Sequence, residues 1–170
     1  MDFYMFDTSL GFMALEAEDQ AITRVFLPNS PTPRIMPHAT PLLLEGEKQI
    51  LEYLSGQRRE FGLPLNPQGP PFQKRVWAAL RDIPFGQTRT YRDIAQAVDC
   101  PKGFRAVGMA NHCNPIPILI PCHRVVFKDG RVTDGFAFGG PEAQRMLLEM
   151  EGVAFEPDGR IDMTRYSYTL

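Results

Sequence analysis

The sequence has little cysteine, histidine and tryptophan, and it lacks any long apolar run. It contains three cysteines, three histidines and one tryptophan in 170 residues. An odd cysteine count, with no recognisable signal peptide, argues against a disulfide framework and favours a reducing compartment, so we expect a cytoplasmic protein. No CxxC or HxxxH pair occurs, so we expect no metal and no cofactor. No run approaches the roughly 18 apolar residues that span a bilayer, so we expect no membrane partner.

Charge is distributed unevenly along the chain. The net charge is −2 and the isoelectric point is about 5.9, which by themselves describe an ordinary acidic protein. Residues 71–131, however, carry 10 Lys or Arg and 4 Asp or Glu, a balance of +6, whereas the remainder carries a balance of −8. A basic segment inside an acidic protein indicates a local face that binds a polyanion.

The N-terminal third alternates short apolar blocks with turn residues, which predicts a meander of three antiparallel strands at residues 3–6, 12–16 and 22–27. A proline-rich connection follows. Thr40 and Pro41 then predict the start of a helix that Gly56 ends. A second cluster of proline and glycine marks a domain boundary, so we expect an N-terminal α/β domain at 1–65 and a C-terminal domain at 66–170.

The C-terminal domain begins with a helical pattern. An apolar face that includes Trp77 predicts a first helix ending near Ile83, and Thr90 predicts the cap of a second helix over 91–98. A third helix is predicted over 104–111. Two short helices joined by a tight turn and carrying basic residues resemble a helix-turn-helix.

The third of these helices is unusually rich in small residues. Small residues occupy every second position at Ala106, Gly108 and Ala110, so few large side chains project from the helix next to Arg105. Such a surface suits either the close approach of a large partner or tight packing against another helix, and the residues alone favour neither.

The most informative stretch surrounds Cys122. Free cysteine usually packs as a small apolar residue. Here Pro121 ends the apolar run 116–120, and the polar residues His123 and Arg124 follow at once, so we expect the thiol at the border between core and solvent. A neighbouring imidazole or cation lowers a thiol pKa, so the pattern predicts a nucleophilic cysteine with a raised thiolate fraction.

Several strings of the second half are specific when they occur together. They are FQKRVW at 72–77, PFG at 84–86, TY at 90–91, RAVG at 105–108, NP at 114–115 and ILIPCHRVV at 118–126. Together they resemble the O6-alkylguanine-DNA alkyltransferases, also called methylated-DNA-protein-cysteine methyltransferases. The resemblance implies an α+β fold: a small N-terminal antiparallel sheet with a helix in a ribonuclease H-like layout, then a helical, winged helix-turn-helix-like domain that binds DNA and carries the alkyl acceptor.

The implied activity is direct repair of guanine alkylated at O6, by an enzyme that works once. The lesion in double-stranded DNA is flipped out from the minor-groove side, and a cysteine takes the alkyl group by SN2 attack on an sp³ carbon. A thiolate suits this attack because it is a soft, strong nucleophile. The thioether product has no acyl carbon for water to attack, so each molecule reacts once. We expect a monomer, located in the cytoplasm or on the nucleoid.

The same resemblance implies the catalytic residues. Cys122 would accept the alkyl group, His123 would act as the base through water, and Glu151 would orient the imidazole and balance its charge. Asn114 would brace the loop beneath the cysteine, and Tyr91 would donate its hydroxyl to the departing base. Without the resemblance, Glu151 would be interpreted as a solvated glutamate and Tyr91 as a core tyrosine.

The resemblance also implies contacts with DNA and with the flipped base. Arg105 would insert where the base leaves the stack. The other implied residues are the DNA contacts Thr90, Ala106 and Gly108 and the pocket residues Val125, Phe136, Ala137 and Phe138.

The segment 133–140 departs from the family pattern Gly-Tyr-x-Gly-Gly. Counting back from Gly139 and Gly140 places Ala137 at the tyrosine, whereas a one-residue insertion places Phe136 there. In either case the sequence lacks a tyrosine hydroxyl near O6. An alternative interpretation is that these phenylalanines only pack in the core.

Three other functions remain open. An alkyltransferase-like protein binds the same lesions without an acceptor thiol, and Cys122 argues against it. A winged-helix regulator accounts for the basic helices but not for Pro-Cys-His-Arg. A hydrolytic cysteine enzyme would turn over.

Overall fold

The computed structural model describes residues 1–133 and 139–168, and the chain forms two compact units. Unit 1 comprises Met1–Gln68 together with Pro115–Leu119, and unit 2 comprises Gly69–Asn114 together with Ile120–Leu170. No pattern in the sequence predicted that the chain returns to unit 1 after residue 114. There the N–H of Val25 donates to the carbonyl of Pro115 at 3.0 Å, a long-range hydrogen bond that no local pattern announces.

Unit 1 contains three antiparallel strands in the order β1-β2-β3, which confirms the predicted meander. The strands are β1, Asp2–Thr8, β2, Gly11–Glu18, and β3, Ala21–Phe26. Leu15 and Ile22 of this sheet are fully buried.

Helix α1, Pro41–Leu54, packs against the sheet. It begins as predicted, because the Thr40 hydroxyl accepts a hydrogen bond from the N–H of Leu43 at 3.3 Å and Pro41 occupies the first turn. A Cβ on Gly46 would lie 2.6 Å from Cδ1 of Leu15, so glycine lets the helix approach the sheet closely. The ribonuclease H-like layout of this unit stays a prediction.

Unit 2 combines helices with a pair of two-residue strands. Its elements are α2, Pro71–Leu80, β4, Arg89–Thr90, α3, Tyr91–Ala97, α4, Phe104–His112, a 3₁₀ turn, Cys122–Arg124, β5, Val125–Val126, α5, Gly140–Met150, and α6, Met163–Tyr166. The three helices predicted for residues 72–112 are present, with ends shifted by a few residues. Within the ranges that the structure describes, no helix is both long enough and apolar enough to cross a membrane.

Trp77 fixes α4 to α2. Its indole Nε1–H donates to the carbonyl of Ala110 at 2.8 Å, and the ring is fully buried. A Cβ on Gly69 would lie 2.5 Å from Cη2 of Trp77, so the chain passes directly over the indole. With Val107 and Ala110 also buried, the inner side of α4 is held by packing and its outer side is left free for other contacts.

A parallel strand pair brings the start of α3 beside the Cys122–Arg124 turn. Thr90 of β4 pairs with Val126 of β5, which follows that turn. Thr90 also begins α3, because its hydroxyl accepts from the N–H of Asp93 at 3.0 Å and the Asp93 carboxylate accepts from the N–H of Thr90 at 2.9 Å. Tyr91, the next residue, is therefore held close to the turn that carries the cysteine.

Candidate active site

Cys122 is the first residue of the 3₁₀ turn and is 1% exposed. Two asparagines hold the backbone around it. Nδ2 of Asn111 donates to the carbonyl of Cys122 at 3.3 Å, and Nδ2 of Asn114 donates to the carbonyl of Ile120 at 2.8 Å. Asn114 therefore lies where it can brace the loop that carries the thiol.

The Cys122 thiol is not activated by its neighbours along the chain. Burial raises its pKa to about 11, although hydrogen bonds from Asn114 and from the backbone of Cys122 and His123 partly oppose the rise. The sequence predicted a lowered pKa, and that prediction is wrong. The reason is that both His123 and Arg124 direct their side chains to Glu151, so sequence neighbours of the thiol serve another group.

Glu151 and His123 form a buried pair. Nε2 of His123 lies 2.7 Å from Oε2 of Glu151, and neither side chain has exposed surface. Burial of the Glu151 carboxyl opposes its ionisation, but the His123 imidazole and the Arg124 guanidinium outweigh that effect and hold the pKa of Glu151 well below its usual range. Nδ1 of His123 is buried and makes no hydrogen bond within the described residues. The imidazole therefore has one nitrogen fixed by a carboxylate and the other available to the site.

Arg124 completes this cluster and was not among the residues predicted from the sequence. Its Nε donates to Oε1 of Glu151 at 2.8 Å and its Nη2 donates to Oε2 at 2.9 Å, a two-pronged contact. Nη1 donates to the carbonyl of Ile83 at 2.6 Å, and the N–H of Gly86 donates to Oε1 at 3.3 Å. A charged residue inside an otherwise buried segment was the signal that could have identified Arg124.

Gln144 is a second residue that the sequence did not reveal. It is fully buried in α5. Its Nε2 donates to the carbonyls of His123 at 3.1 Å and Val125 at 2.8 Å, and its Oε1 accepts from the N–H of Thr133 at 3.0 Å. Gln144 lies three residues before Leu147 and four before Leu148, both of which are buried, so it occupies a core position of the helix. A polar residue at a core position was the feature of the sequence that could have identified it.

Tyr91 lies near the thiol. Burial raises the pKa of Tyr91, a hydrogen bond with Thr133 opposes the rise, and interaction with Cys122 adds to it. Its ring packs at a tilt against Phe127, with centroids 5.5 Å apart. The hydroxyl therefore stays protonated at neutral pH and can act as a donor.

A cleft of about 500 Å³ opens next to Tyr91 within unit 2. It is lined by Tyr91, Phe104, Arg105, Gly108, Met109, Asn111, His112, Phe127 and Thr133. Two of the predicted DNA contacts, Arg105 and Gly108, therefore share one cleft with Tyr91.

The remaining predicted residues fall into three groups. Ala106 is exposed on α4, Val125 is fully buried, and Thr90 is nearly buried with its hydroxyl used to cap α3. The DNA contact of Thr90 stays a prediction. Phe136, Ala137 and Phe138 lie outside the described residues. Within residues 1–133 and 139–168, no group of three His, Cys, Asp or Glu side chains is placed to hold a metal ion.

The chain is similar to proteins that transfer methyl groups from DNA to a cysteine. The model described as "6-O-methylguanine DNA methyltransferase, DNA binding domain" matches residues 71–153. The constitutive methylated-DNA-protein-cysteine methyltransferase of Bacillus subtilis is 42% identical over 157 residues, which cover 88% of this chain and 94% of that protein. A methylated-DNA-protein-cysteine methyltransferase of Methanosarcina barkeri is 49% identical over 107 residues, which cover 63% of this chain and 66% of that protein.

Solved structures agree. Mycobacterium tuberculosis OGT in complex with DNA is similar with a TM-score of 0.79 and 36% identity, covering 89% of this chain and 92% of that one. S. pombe Atl1 in complex with damaged DNA containing O6-carboxymethylguanine is similar with a TM-score of 0.53 and 28% identity, covering 61% of this chain and 99% of that one.

Proposed function

This chain belongs to the 6-O-methylguanine DNA methyltransferase family, and from that premise we propose that Cys122 is the residue that accepts the alkyl group. The protein repairs DNA directly, by transfer of an alkyl group from O6 of guanine to its own cysteine. The observation that carries the assignment to Cys122 is its position: a buried thiol on a loop that Asn114 braces, followed directly in the chain by an imidazole whose Nε2 is bound to a buried carboxylate.

Proton transfer precedes or accompanies the attack. A thiol with a pKa of about 11 is protonated at neutral pH, so the nucleophile must lose its proton in the complex with the lesion. His123 accepts that proton through a water molecule at Nδ1, and ionised Glu151 stabilises the imidazolium that forms. The S–C bond then forms as the C–O6 bond breaks, and the proton finally returns to the released guanine.

Tyr91 stabilises the leaving base. Guanine departs with negative charge, so a donor is needed where that charge develops. The Tyr91 hydroxyl, which remains protonated and lies by the cleft, supplies it. Phe127 packs against the ring and Thr133 hydrogen-bonds the hydroxyl, and these two contacts keep Tyr91 in place.

DNA binds on the outer side of α3 and α4, which act as a helix-turn-helix in a winged domain. α4 enters the minor groove and Arg105 fills the space of the extruded base. Gly108 supports this placement. A Cβ at this position would meet nothing within 4 Å, so packing inside the protein does not require glycine, and a close external partner would explain it. The protein acts as a monomer, and phosphate contacts supply most of the affinity.

Mass spectrometry after incubation with a duplex that contains O6-methylguanine tests the proposal. We expect one methyl group per protein, located on the Cys122 peptide, and no transfer by Cys122→Ser although that variant still binds DNA. The exposed Cys113 is an internal control and should stay unmodified. Binding without transfer by the wild type would place the protein in the alkyltransferase-like class, and multiple turnovers would exclude a thioether product.

A further inference from the structure

Phe104 is an exposed aromatic residue at the first position of α4. Its side chain is 47% exposed. The buried side of α4 consists of Val107, Ala110 and Asn111, so Phe104 is not part of the core that holds this helix. An aromatic residue with nearly half of its surface exposed forgoes much of the stabilisation that full burial would give it, which points to a role outside the fold.

Phe104 stands at one end of a shallow notch in the outer surface of α4. Gly108 lies one turn further along, and open space surrounds its missing Cβ. Arg105 follows Phe104 directly, and both line the same cleft as Tyr91. The aromatic ring and the guanidinium thus lie beside the notch that Gly108 leaves in the surface of α4.

The charges around Phe104 indicate which partner it meets. Within residues 91–112 the exposed cations are Arg92, Lys102 and Arg105, against the exposed carboxylate of Asp99. This excess of positive charge suits a polyanion better than the apolar surface of another protein.

We propose that Phe104 is a second wedge, which enters the DNA beside Arg105 and stacks on the base step next to the extruded nucleotide. The proposal rests on the proposed function. Extrusion of a nucleotide leaves neighbouring base faces uncovered, and proteins that bind the minor groove insert phenylalanine and similar residues between base steps. A planar ring covers a base face whatever the base is, so the wedge suits a protein that must act in any sequence context.

Single-turnover transfer from two substrates tests this role. Phe104→Ala should slow transfer from a methylated duplex by about 5- to 160-fold, the range typical of a lost stacking contact, and should leave transfer from free O6-benzylguanine unchanged. Phe104→Trp, which keeps a stacking surface, should retain the duplex rate. The matched control is Phe12→Ala, which removes a 65% exposed phenylalanine from β2 of unit 1 and should change neither rate.

Two further measurements separate the wedge from other roles. A 2-aminopurine placed beside the lesion should be brighter in the complex with Phe104→Ala than in the wild-type complex, because the ring of Phe104 stacks on that base and stacking quenches its fluorescence. The slope of log affinity against log salt should be equal for these two proteins, because a neutral ring releases no counterion, whereas Arg105→Ala should lower the slope.

The outcomes distinguish failure of the wedge from failure of the proposed function. If the wild type takes no benzyl group from free O6-benzylguanine and no methyl group from the duplex, the transfer function itself is wrong. If the wild type is active and Phe104→Ala matches it on the duplex, Phe104 is no wedge. Equal losses on both substrates, with an unchanged melting temperature, would make Phe104 a wall of the base pocket and would also overturn the proposal.

Discussion

Glu151 and His123, 28 residues apart in sequence, form a 2.7 Å contact between two side chains without exposed surface. The carboxylate is shared, since Arg124 also binds both of its oxygens. His123, the base in the proposed mechanism, and Arg124, a permanent cation, therefore depend on one buried negative charge.

Glu151→Gln removes that charge and keeps the shape of the side chain. We expect single-turnover transfer to slow by about 10²-fold or more, because nothing then balances the imidazolium. The free energy of unfolding should fall by about 3–5 kcal/mol, because the guanidinium of Arg124 stays buried without its partner. Glu149→Gln is the matched control, since Glu149 is exposed and, among the residues that the structure describes, forms an ion pair only with Arg145. A Glu151→Gln variant as active as the control would remove Glu151 from the mechanism.

Acid should unfold the protein partly through Glu151. The folded-state pKa of Glu151 lies below the ordinary 4.5, so in acid the unfolded chain binds a proton that the folded protein does not. The stability that ionised Glu151 contributes is thus fully present above about pH 4.5 and is lost as the pH falls below that value. Chemical denaturation between pH 3 and pH 7, roughly the window set by the linkage, should show this decline for the wild type and a shallower one for Glu151→Gln. Parallel curves for both proteins would contradict the depressed pKa.

Cys122 should be slow to react with small electrophiles. Since burial raises its pKa to about 11, the thiolate fraction at neutral pH is small and rises tenfold with each pH unit. Iodoacetamide labelling with peptide mapping should therefore modify the exposed Cys113 first and leave Cys122 intact. Labelling of Cys122 as fast as Cys113 at neutral pH would show a thiol that is already activated without DNA.

Gly108→Ala should separate stability from DNA binding. A Cβ at this position meets open space, so alanine should stabilise α4 by about 0.5–1 kcal/mol. Affinity for duplex DNA should nevertheless fall, because the methyl group would stand on the surface that we propose to contact the groove. Gly46→Ala is the opposite control: its Cβ would strike Leu15, so it should destabilise the protein without a direct effect on DNA binding. Unchanged affinity of Gly108→Ala would move the DNA surface elsewhere.

Tyr91→Phe should slow transfer from a methylated duplex by about 10²- to 10³-fold, the contribution of one donor to a developing anion. The family's pocket tyrosine is absent from this sequence, so the proposed mechanism leaves Tyr91 as the one tyrosine donor to the leaving base. If the one-residue insertion places Phe136 at the tyrosine position, Phe136→Tyr should restore part of the loss. Tyr4→Phe, a change in β1 of unit 1, is the control. Strictly additive effects in the double mutant would show that the missing hydroxyl is not part of the mechanism.

Local signals predicted the three strands of unit 1 and the helices α1 to α4. Helix α1 begins at Thr40 and Pro41, and helix α3 begins with the capping pair Thr90 and Asp93, so each start is determined by residues at most four positions apart. The three strands are determined by short alternating segments and the turns between them. Such features depend on neighbours in the chain, so a single sequence contains them.

The parts that sequence reasoning missed depend on distant contacts. The side chains of His123 and Arg124 point to Glu151, which is distant in the sequence. Gln144 likewise binds the carbonyls of residues about 20 positions before it. Adjacency to Cys122 therefore suggested an activated thiol that the folded protein does not have. The family resemblance predicted a role for Glu151, but only the fold revealed that Arg124 and His123 share its carboxylate.

Burial of Cys122 also affects how long an unused molecule keeps its capacity. A protein that reacts once is lost whenever its thiol is oxidised to a sulfenic acid or higher state, and oxidation begins from the thiolate. A protonated, enclosed sulfur is poorly accessible to peroxide, whereas Cys113 at the surface is not so protected. The same enclosure that makes the resting thiol a weak nucleophile thus preserves it until a lesion is bound.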